Sequence, residues 1–588
     1  MIGLYRAELR RFARWAAGLG ALHAAALLLL DRSFPGLRDD GEVAVVAGFV
    51  YALAGAAFGL YQCASYARMG HWIALLHRPL APWRIMAAVC GASATVLAAA
   101  VAAPLLVFTG ALALQADRVV DVRHWQLAPA AALIALIGLG AGSYLALAPR
   151  RYGWTILVAP AVLTITSAGT GAGAMLLPLI IVAVLALLVA GAFQPDRSRP
   201  PSQPGLRWLT AGVVAVSLYF LLVGASGLAC QLGLSVAGRN PEADVPPPSG
   251  AVAASRATSA DLFAAALAQA PGPEAAIALA QLRQGEARRL PVAFSRLPAR
   301  GELTNTGPIG FTDMRQSIRW TYSHDANAFQ GLRLRDRRPA GELRPAGGFD
   351  APPLLLGEGR MIAGGGLYRL DPEAGQLERT LQLPAGGTVV AAPVSDGRRM
   401  YVLGDRALYL VDDGAPGAGS GRAMLAVPLH GAAGDLLRLD VADLPDRLLL
   451  SFVFGQDSID GPRKAWQHLV SVAPEGTVRT LAERRLKPDY PDLMRFRAYW
   501  GSPAIQALVA ATKEIGSSTA RSPLRAPVEV PRGVWIAAAL LSLLAAAGTW
   551  VLGVRRGLRP RETAAWAFAA LALGVPMLAA FCLVRARA

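Results

Sequence analysis

The side chains able to do covalent, metal or phosphate chemistry are few in this chain and widely spread. Its three lysines, Lys464, Lys487 and Lys513, never follow a glycine, so no GxxxxGK[ST] loop exists to cradle a nucleotide. No HExxH, no paired His/Cys spacing and no GxSxG occurs, which removes the common zinc-hydrolase and serine-nucleophile arrangements. Cys63, Cys90, Cys230 and Cys582 all fall in or beside apolar runs, and their spacing draws neither a disulfide framework nor a metal pair. Asp336, Asp371, Asp412, Asp457 and Asp460 supply carboxylates, but they recur at turns, where Asp serves its own backbone. The Gly-rich run at 169–173 joins two apolar segments rather than a strand and a helix, the wrong setting for a phosphate. The expectation is a chain that is not an enzyme and holds no metal or cofactor of its own.

The densest constellation is QCASYARMGHWIALLHRPLAPWRI, residues 62–85, which carries no acid. Tyr66, Met69, Trp72, Ile73 and Leu76 repeat at helical spacing, predicting an amphipathic helix over 64–76. His77-Arg78-Pro79-Leu80 then breaks it, and Pro82 and Arg84 lead into the next apolar run. A basic rim with Trp72 and Trp83 at the interface accounts for the charge and the tryptophans. It does not account for an ordered helix with a rigid proline exit. The candidate contact residues are therefore Tyr66, Arg68, Trp72, His77, Arg78, Pro79 and Arg84. Gly55 and Gly59 form a GxxxG pair, read as intrachain helix packing, with a dimer seam as the alternative.

The elements that must position these residues are membrane spans. Of 588 residues, 54% are hydrophobic and 16% charged, below the roughly one quarter of soluble chains. Apolar runs near 13–30, 43–62, 84–114, 127–148, 153–171, 174–193, 208–231, 533–553 and 564–584 are long enough to cross about 30 Å of hydrocarbon. The fifth and sixth, joined by the barely polar TSAGTGAGAM, form either a tight hairpin or one broken, re-entrant segment. Away from their ends the spans hold almost no ionisable residues; the clearest exception is His23, read as a neutral, hydrogen-bonded histidine facing the interior rather than a proton relay.

The net charge of +17 does not indicate a nucleic-acid partner, because residues 241–530 contribute only +2 of it. With the N-terminus inside, one face collects sixteen arginines against Glu8, Asp196 and Glu562. The short loops 31–42 and 115–124 on the other face are net −2 and neutral. This asymmetry puts the N-terminus in the cytoplasm and residues 232–532 outside. Arg585 and Arg587 then fall on the outer face and are the exception to the rule.

The outer segment opens with a proline-rich linker and two helical stretches over 232–315. The texture from 316 to 530 is short alternating strands. A phrase of strand, Asp/Pro turn and Gly recurs, with its last apolar strand residues at Leu334, Leu370, Val411 and Val472. Spacings of 36, 41 and 61 residues point to blades of a β-propeller or a related sheet stack, without fixing their number.

The layout of residues 1–195 resembles a type 2 ABC-transporter permease. LYRAELRRFARW at 4–15 is similar to the inner-face helix that opens that family's six-span core. Residues 62–84, ending in LLHRPLAPWR, resemble its coupling loop, and the connection between the fifth and sixth runs resembles its outer re-entrant hairpin. The resemblance implies a lipid-embedded subunit of the bacterial inner membrane, paired with itself or a homologous permease. ATP would be held and hydrolysed by a separate ABC ATPase subunit docked on the coupling loop. The seventh span within 196–231, the outer domain, and the two spans within 531–588 are additions to that core. The expected fold is thus a polytopic helical membrane protein of about nine spans with an all-β, propeller-like extracytoplasmic domain. The alternative is a membrane-anchored outer propeller serving as a sensor or assembly scaffold without transport.

Overall fold

The computed structural model describes the chain except residues 34–40, 67–70, 78, 116, 167–172, 195, 197–198, 244–249, 292–296, 304–306, 358, 372–373, 385, 413–423, 456–463, 517–523 and 586–588. Its helical part begins with α1 (Ile2–Ser33), α2 (Gly41–Tyr66), the short α3 (His71–Leu76), α4 (Pro82–Ala113) and α5 (Val122–Leu147). There follow α6 (Arg150–Gly153), a single 3-10 turn, α7 (Val158–Thr166), α8 (Gly173–Ala192) and α9 (Pro204–Val236). Among the described residues, seven helices are long and apolar enough to cross a membrane: α1, α2, α4, α5, α8, α9 and a later one, Arg532–Arg555.

The opening segment is not a separate surface helix, as the amphipathic stretch 4–15 suggested. It is the first part of one continuous α1, about 48 Å long at 1.5 Å per residue. Its buried stripe is Leu4, Glu8 and Phe12, spaced four apart on one face, while Arg6, Arg10 and Arg14 are exposed. The predicted fifth span is likewise interrupted, appearing as α6, the 3-10 turn and α7, with Pro149 and Pro160 in and beside the break.

Past α9 the chain forms three short helices, α10 (Ala251–Arg256), α11 (Ser259–Leu267) and α12 (Pro273–Leu282), and then β1 (Glu286–Leu290). Strands β2 (Gly310–Asp313), β3 (Ile318–Ser323), β4 (Ala328–Arg333) and β5 (Pro339–Leu343) make the first antiparallel sheet. The second contains β6 (Leu354–Gly357), β7 (Arg360–Ala363), β8 (Gly366–Asp371) and β9 (Gln376–Gln382). The third contains β10 (Val394–Ser395), β11 (Arg399–Leu403), β12 (Ala407–Asp412) and β13 (Met424–Pro428). In the last, β1 pairs with β14 (Leu436–Asp443), followed by β15 (Leu448–Phe454), β16 (Trp466–Val472) and β17 (Val478–Arg485).

The first three sheets are meanders, the last is the β14–β17 meander with β1 added at its edge, and each packs on the next. Trp320, Tyr322 and Phe329 of the first share a core with Met361 and Tyr368 of the second. Ile362 and Leu381 join Val402 and Val411 of the third, and Tyr401, Leu408 and Val427 join Leu439, Leu450 and Phe452 of the five-stranded sheet. The far face of that sheet is covered by Phe263, Leu267 and Ala278 of α11 and α12. The all-β expectation therefore holds as a succession of four antiparallel sheets, and no strand pairing among the described residues closes them into a ring. Arg438 and Asp440, both fully buried, pair at 2.6 Å and fasten the helices to this sheet. Asp440 accepts from the Ser259 hydroxyl at 2.6 Å, and Arg438 donates to the Ala254, Ser255 and Ala257 carbonyls at 3.2, 3.2 and 2.6 Å.

The strands end at Arg485, well short of the 530 boundary expected from composition. α13 (Asp492–Arg495), α14 (Arg497–Gly501) and α15 (Pro503–Gly516) return to the bundle, where α14 meets α9 and α15 meets α8. The Arg497 guanidinium is buried and donates to the Val223 carbonyl at 3.0 Å, over Gly227, where a Cβ would come within 3.0 Å of it. Tyr219 donates to Gln506 at 2.8 Å from the middle of α9. α16 (Arg532–Arg555) follows, and then α17 (Pro560–Leu573) and α18 (Val575–Val584) stand where the ninth span was expected.

These last two helices are a hairpin, not a crossing. Gly574 turns the chain at φ 70° and ψ −153°, a conformation closed to residues with a Cβ, and its own Cβ position is 3.1 Å from the Gly501 carbonyl. Arg585 pairs with Glu562 at the start of α17, and the Arg556 guanidinium donates to the Arg585 carbonyl at 2.9 Å. Arg207 reaches the same Glu562 at 3.6 Å, and Arg151 donates to the Val584 carbonyl at 3.4 Å. Arg585 thus joins the end of the bundle that holds Arg151, Arg207 and Arg556, which corrects its expected place on the opposite face.

Candidate functional site

The chemistry-bearing loop sits at the basic end, where α1, α2, α3 and α4 meet. Glu8 is buried there because the Leu4–Glu8–Phe12 stripe faces α2 and α4. The Tyr66 hydroxyl donates to one carboxylate oxygen of Glu8, and Gln62 Nε2 donates to the other at 3.2 Å. Gln62 Nε2 also donates to the Val89 carbonyl of α4 at 3.1 Å. Arg11 stands 3.7 Å from Glu8, donates to the Ser65 hydroxyl at 3.1 Å, and lies 5.2 Å over the Tyr66 ring. One carboxylate therefore ties three helices together. A buried charge held this way is costly to orphan, so the junction resists being pulled apart.

Tyr66, expected to face a partner, has its hydroxyl engaged by Glu8 within the chain. The predicted helix over 64–76 is found as the last residues of α2 and the whole of α3. Leu75 of α3 is buried in one apolar cluster with Leu4, Ile85 and Val89, which fixes α3 to α1 and α4. His71, Ala74, His77, Pro79 and Arg84 are exposed at this surface, and the Arg84 guanidinium lies 5.3 Å from the Trp83 ring. Arg68 and Arg78 lie outside the described residues, as does the side chain of Trp72.

Gly55 and Gly59 are used inside the chain. A Cβ on Gly55 would fall 2.0 Å from the Ala135 carbonyl oxygen, and one on Gly59 2.3 Å from that of Leu139. α5 answers with Gly138 and Gly142, whose Cβ positions lie 1.9 and 2.0 Å from the carbonyls of Ala52 and Ala56. The two backbones run parallel in contact, so α5 packs on this glycine face within the chain. His23 bonds the Tyr51 hydroxyl at 2.9 Å through Nε2, with Nδ1 3.4 Å from the Ala100 carbonyl, matching the interior, hydrogen-bonded reading.

At its other end α5 reaches the first sheet. Buried Asp121 accepts from the Ser323 hydroxyl at 2.7 Å and from the backbone N–H groups of His324 and Asp325 at 3.0 and 3.4 Å. Asp325 in return accepts from the Val122 N–H at 2.8 Å, capping the start of α5. His324 is buried in this joint and takes the Gly301 N–H on Nδ1 at 3.3 Å. Burial, reinforced by Arg123, pushes its pKa down to about 4. Glu8, Asp121 and Asp325 escape a reading of the sequence because a carboxylate near a helix end or in a turn reads only as charge. The four-residue spacing of Glu8 with Leu4 and Phe12 was the available signal. Asp336 and Asp371 accept from the backbone of Arg338 and Ala374 at 3.2 and 3.1 Å, the turn role expected of them. Asp457, Asp460 and the side chain of Asp412 lie outside the described residues.

No protein-family model, no curated protein and no solved structure matches this chain.

Proposed function

We propose that this chain is the membrane permease subunit of an ATP-driven ABC transport system, energised by a separate ATPase that docks on α3 and its exit loop. The observation that carries the reading is α3 itself. It is a short helix between two long apolar ones, anchored through Leu75 to α1 and α4 while His77, Pro79 and Arg84 stay exposed. Pressure on that surface would pass through Leu75 and the Glu8 junction into α1, α2 and α4. The glycine seam would carry it from α2 to α5, and the Asp121–Asp325 joint from α5 to the sheets. In this reading the basic end is cytoplasmic, residues 232–532 lie outside a bacterial inner membrane, and ATP belongs to the partner. A second permease copy, or a homologue, completes the transporter. The four-strand meanders act as propeller-like blades that receive or gate cargo.

The test is co-purification of the full chain with a P-loop ATPase from its native membrane. The doubly charge-reversed variant His77→Glu, Arg84→Glu should lose at least nine-tenths of the ATPase while remaining in the membrane fraction. Undiminished recovery would defeat the docking role. Recovery of a kinase or protease in place of an ATPase would favour the scaffold reading.

A further inference from the structure

We propose that His430, His468 and Glu483 form a divalent-metal site, suited to zinc, that fastens the third sheet to the five-stranded sheet. The three come from separate places in the chain. His430 follows the end of β13, His468 lies in β16, and Glu483 stands directly opposite His468 in β17. One ligand atom from each lies within 4.8 Å of those of the other two, and the two imidazole rings are 3.9 Å apart.

Two imidazoles and a carboxylate are a donor set that zinc accepts with bonds of about 2.0–2.2 Å, leaving a fourth position for water. Ligand atoms in a tetrahedral site lie roughly 3.4 Å apart at those bond lengths, so separations of up to 4.8 Å must contract by as much as about 1.4 Å. His430 and Glu483 are exposed and have room to do so, whereas His468 is fully buried and serves as the fixed post.

His468 also carries a sign of something missing. Its Nε2 is 3.1 Å from the Thr480 hydroxyl, while its Nδ1 is buried without a hydrogen-bond partner among the described residues. Buried polar nitrogens in folded proteins nearly always have one. A ring whose Nε2–H is donated to Thr480 presents a bare Nδ1 lone pair, the state in which imidazole binds a metal. The second ring nitrogen of a metal ligand is usually tied off in this way. The alternative, a chance stacking of two histidines beside a surface glutamate, leaves Nδ1 unsatisfied and gives Thr480 no purpose.

The full chain in detergent, stripped with chelator and dialysed, is titrated with zinc against a chromophoric chelator. Cobalt substitution is followed by its visible bands. The expected result is about one zinc per chain and the intense cobalt absorption of a four-coordinate site. His430→Ala and Glu483→Gln, both at exposed positions, should each weaken zinc at least tenfold and collapse the cobalt bands. Asp336→Asn on the first sheet should change neither. Failure to bind zinc, or binding that either ligand variant leaves intact, overturns the proposal.

Discussion

Asp121 and Asp325 cap each other's segments: each carboxylate accepts a backbone N–H from the stretch that carries the other. A long apolar helix and the turn after β3 thereby become one joint, 204 residues apart in sequence. The two sides are not equal. Asp121 is buried with three donors and Arg123 at 3.7 Å, whereas the contact of Asp325 is exposed.

Asp325→Ala should therefore cost about 1 kcal/mol, the worth of a helix cap. Asp121→Ala should cost about 2–4 kcal/mol, because it leaves a buried arginine and several donors without their acceptor. Hydrogen exchange on the full chain checks this. Residues 323–325 should lose protection in both variants, and far more in the second.

Acid should loosen the sheet domain through His324, whose pKa is pushed down to about 4, chiefly by burial. Unfolded, it titrates near 6.5, so between about pH 6.5 and pH 4 the unfolded chain binds a proton that the folded one refuses. Stability is whole above the upper value and falls as pH drops through the window, by at most about 3 kcal/mol. His324→Gln should flatten part of that slope in thermal melts taken from pH 7 to pH 4. An unchanged slope would remove His324 as a contributor.

The glycine seam predicts a sharp contrast between similar substitutions. Gly138→Ala and Gly142→Ala each drive a methyl to about 2 Å from a carbonyl oxygen, and α2 must move away from α5. Both should abolish monodisperse protein on gel filtration. Gly91→Ala in α4, with nothing within 4 Å, should raise stability by up to about 1 kcal/mol.

Asp440→Ala should be among the most damaging changes in the sheet region, costing about 3–5 kcal/mol, because Arg438 is left charged and buried. Replacing both, as Arg438→Met with Asp440→Leu, should cost much less. The measurement is the melting temperature of the full chain for the single and double variants.

Much of this architecture was legible in the sequence. The recurring phrases ending at Leu334, Leu370, Val411 and Val472 mark the end of β4, β8, β12 and β16, the third strand of each four-strand meander, the last of these being β14–β17. Period-two alternation and Asp/Gly turns survive even where the repeat has drifted. The apolar runs became helices, and the GxxxG pair found its partner. What failed was depth and direction. Hydropathy scores residues 564–584 as a crossing because a hairpin of two apolar helices has the composition of one span. The turn resides in Gly574-Val575-Pro576 alone. Residues 491–516 read as part of the sheet domain because nothing local says that Arg497 will find the Val223 carbonyl. The ends of the Glu8 junction and of the Asp121 joint meet only once the fold brings them together.

The returning hairpin α17–α18 bears on how the protein is put into a membrane. Its charged groups, Arg559, Arg561, Glu562 and Arg585, all stay at one end, and only alanine-, leucine- and phenylalanine-rich turns go deep. No ion has to be dragged through hydrocarbon to insert it, a step that costs about 2.5–3.5 kcal/mol per arginine at mid-bilayer. Residues 560–585 can thus enter from a single side, beside α16, which is itself long and apolar enough to cross. The tip at Gly574 then stops against Gly501, a backbone contact that is completed only when the segment returning from the sheets has also arrived.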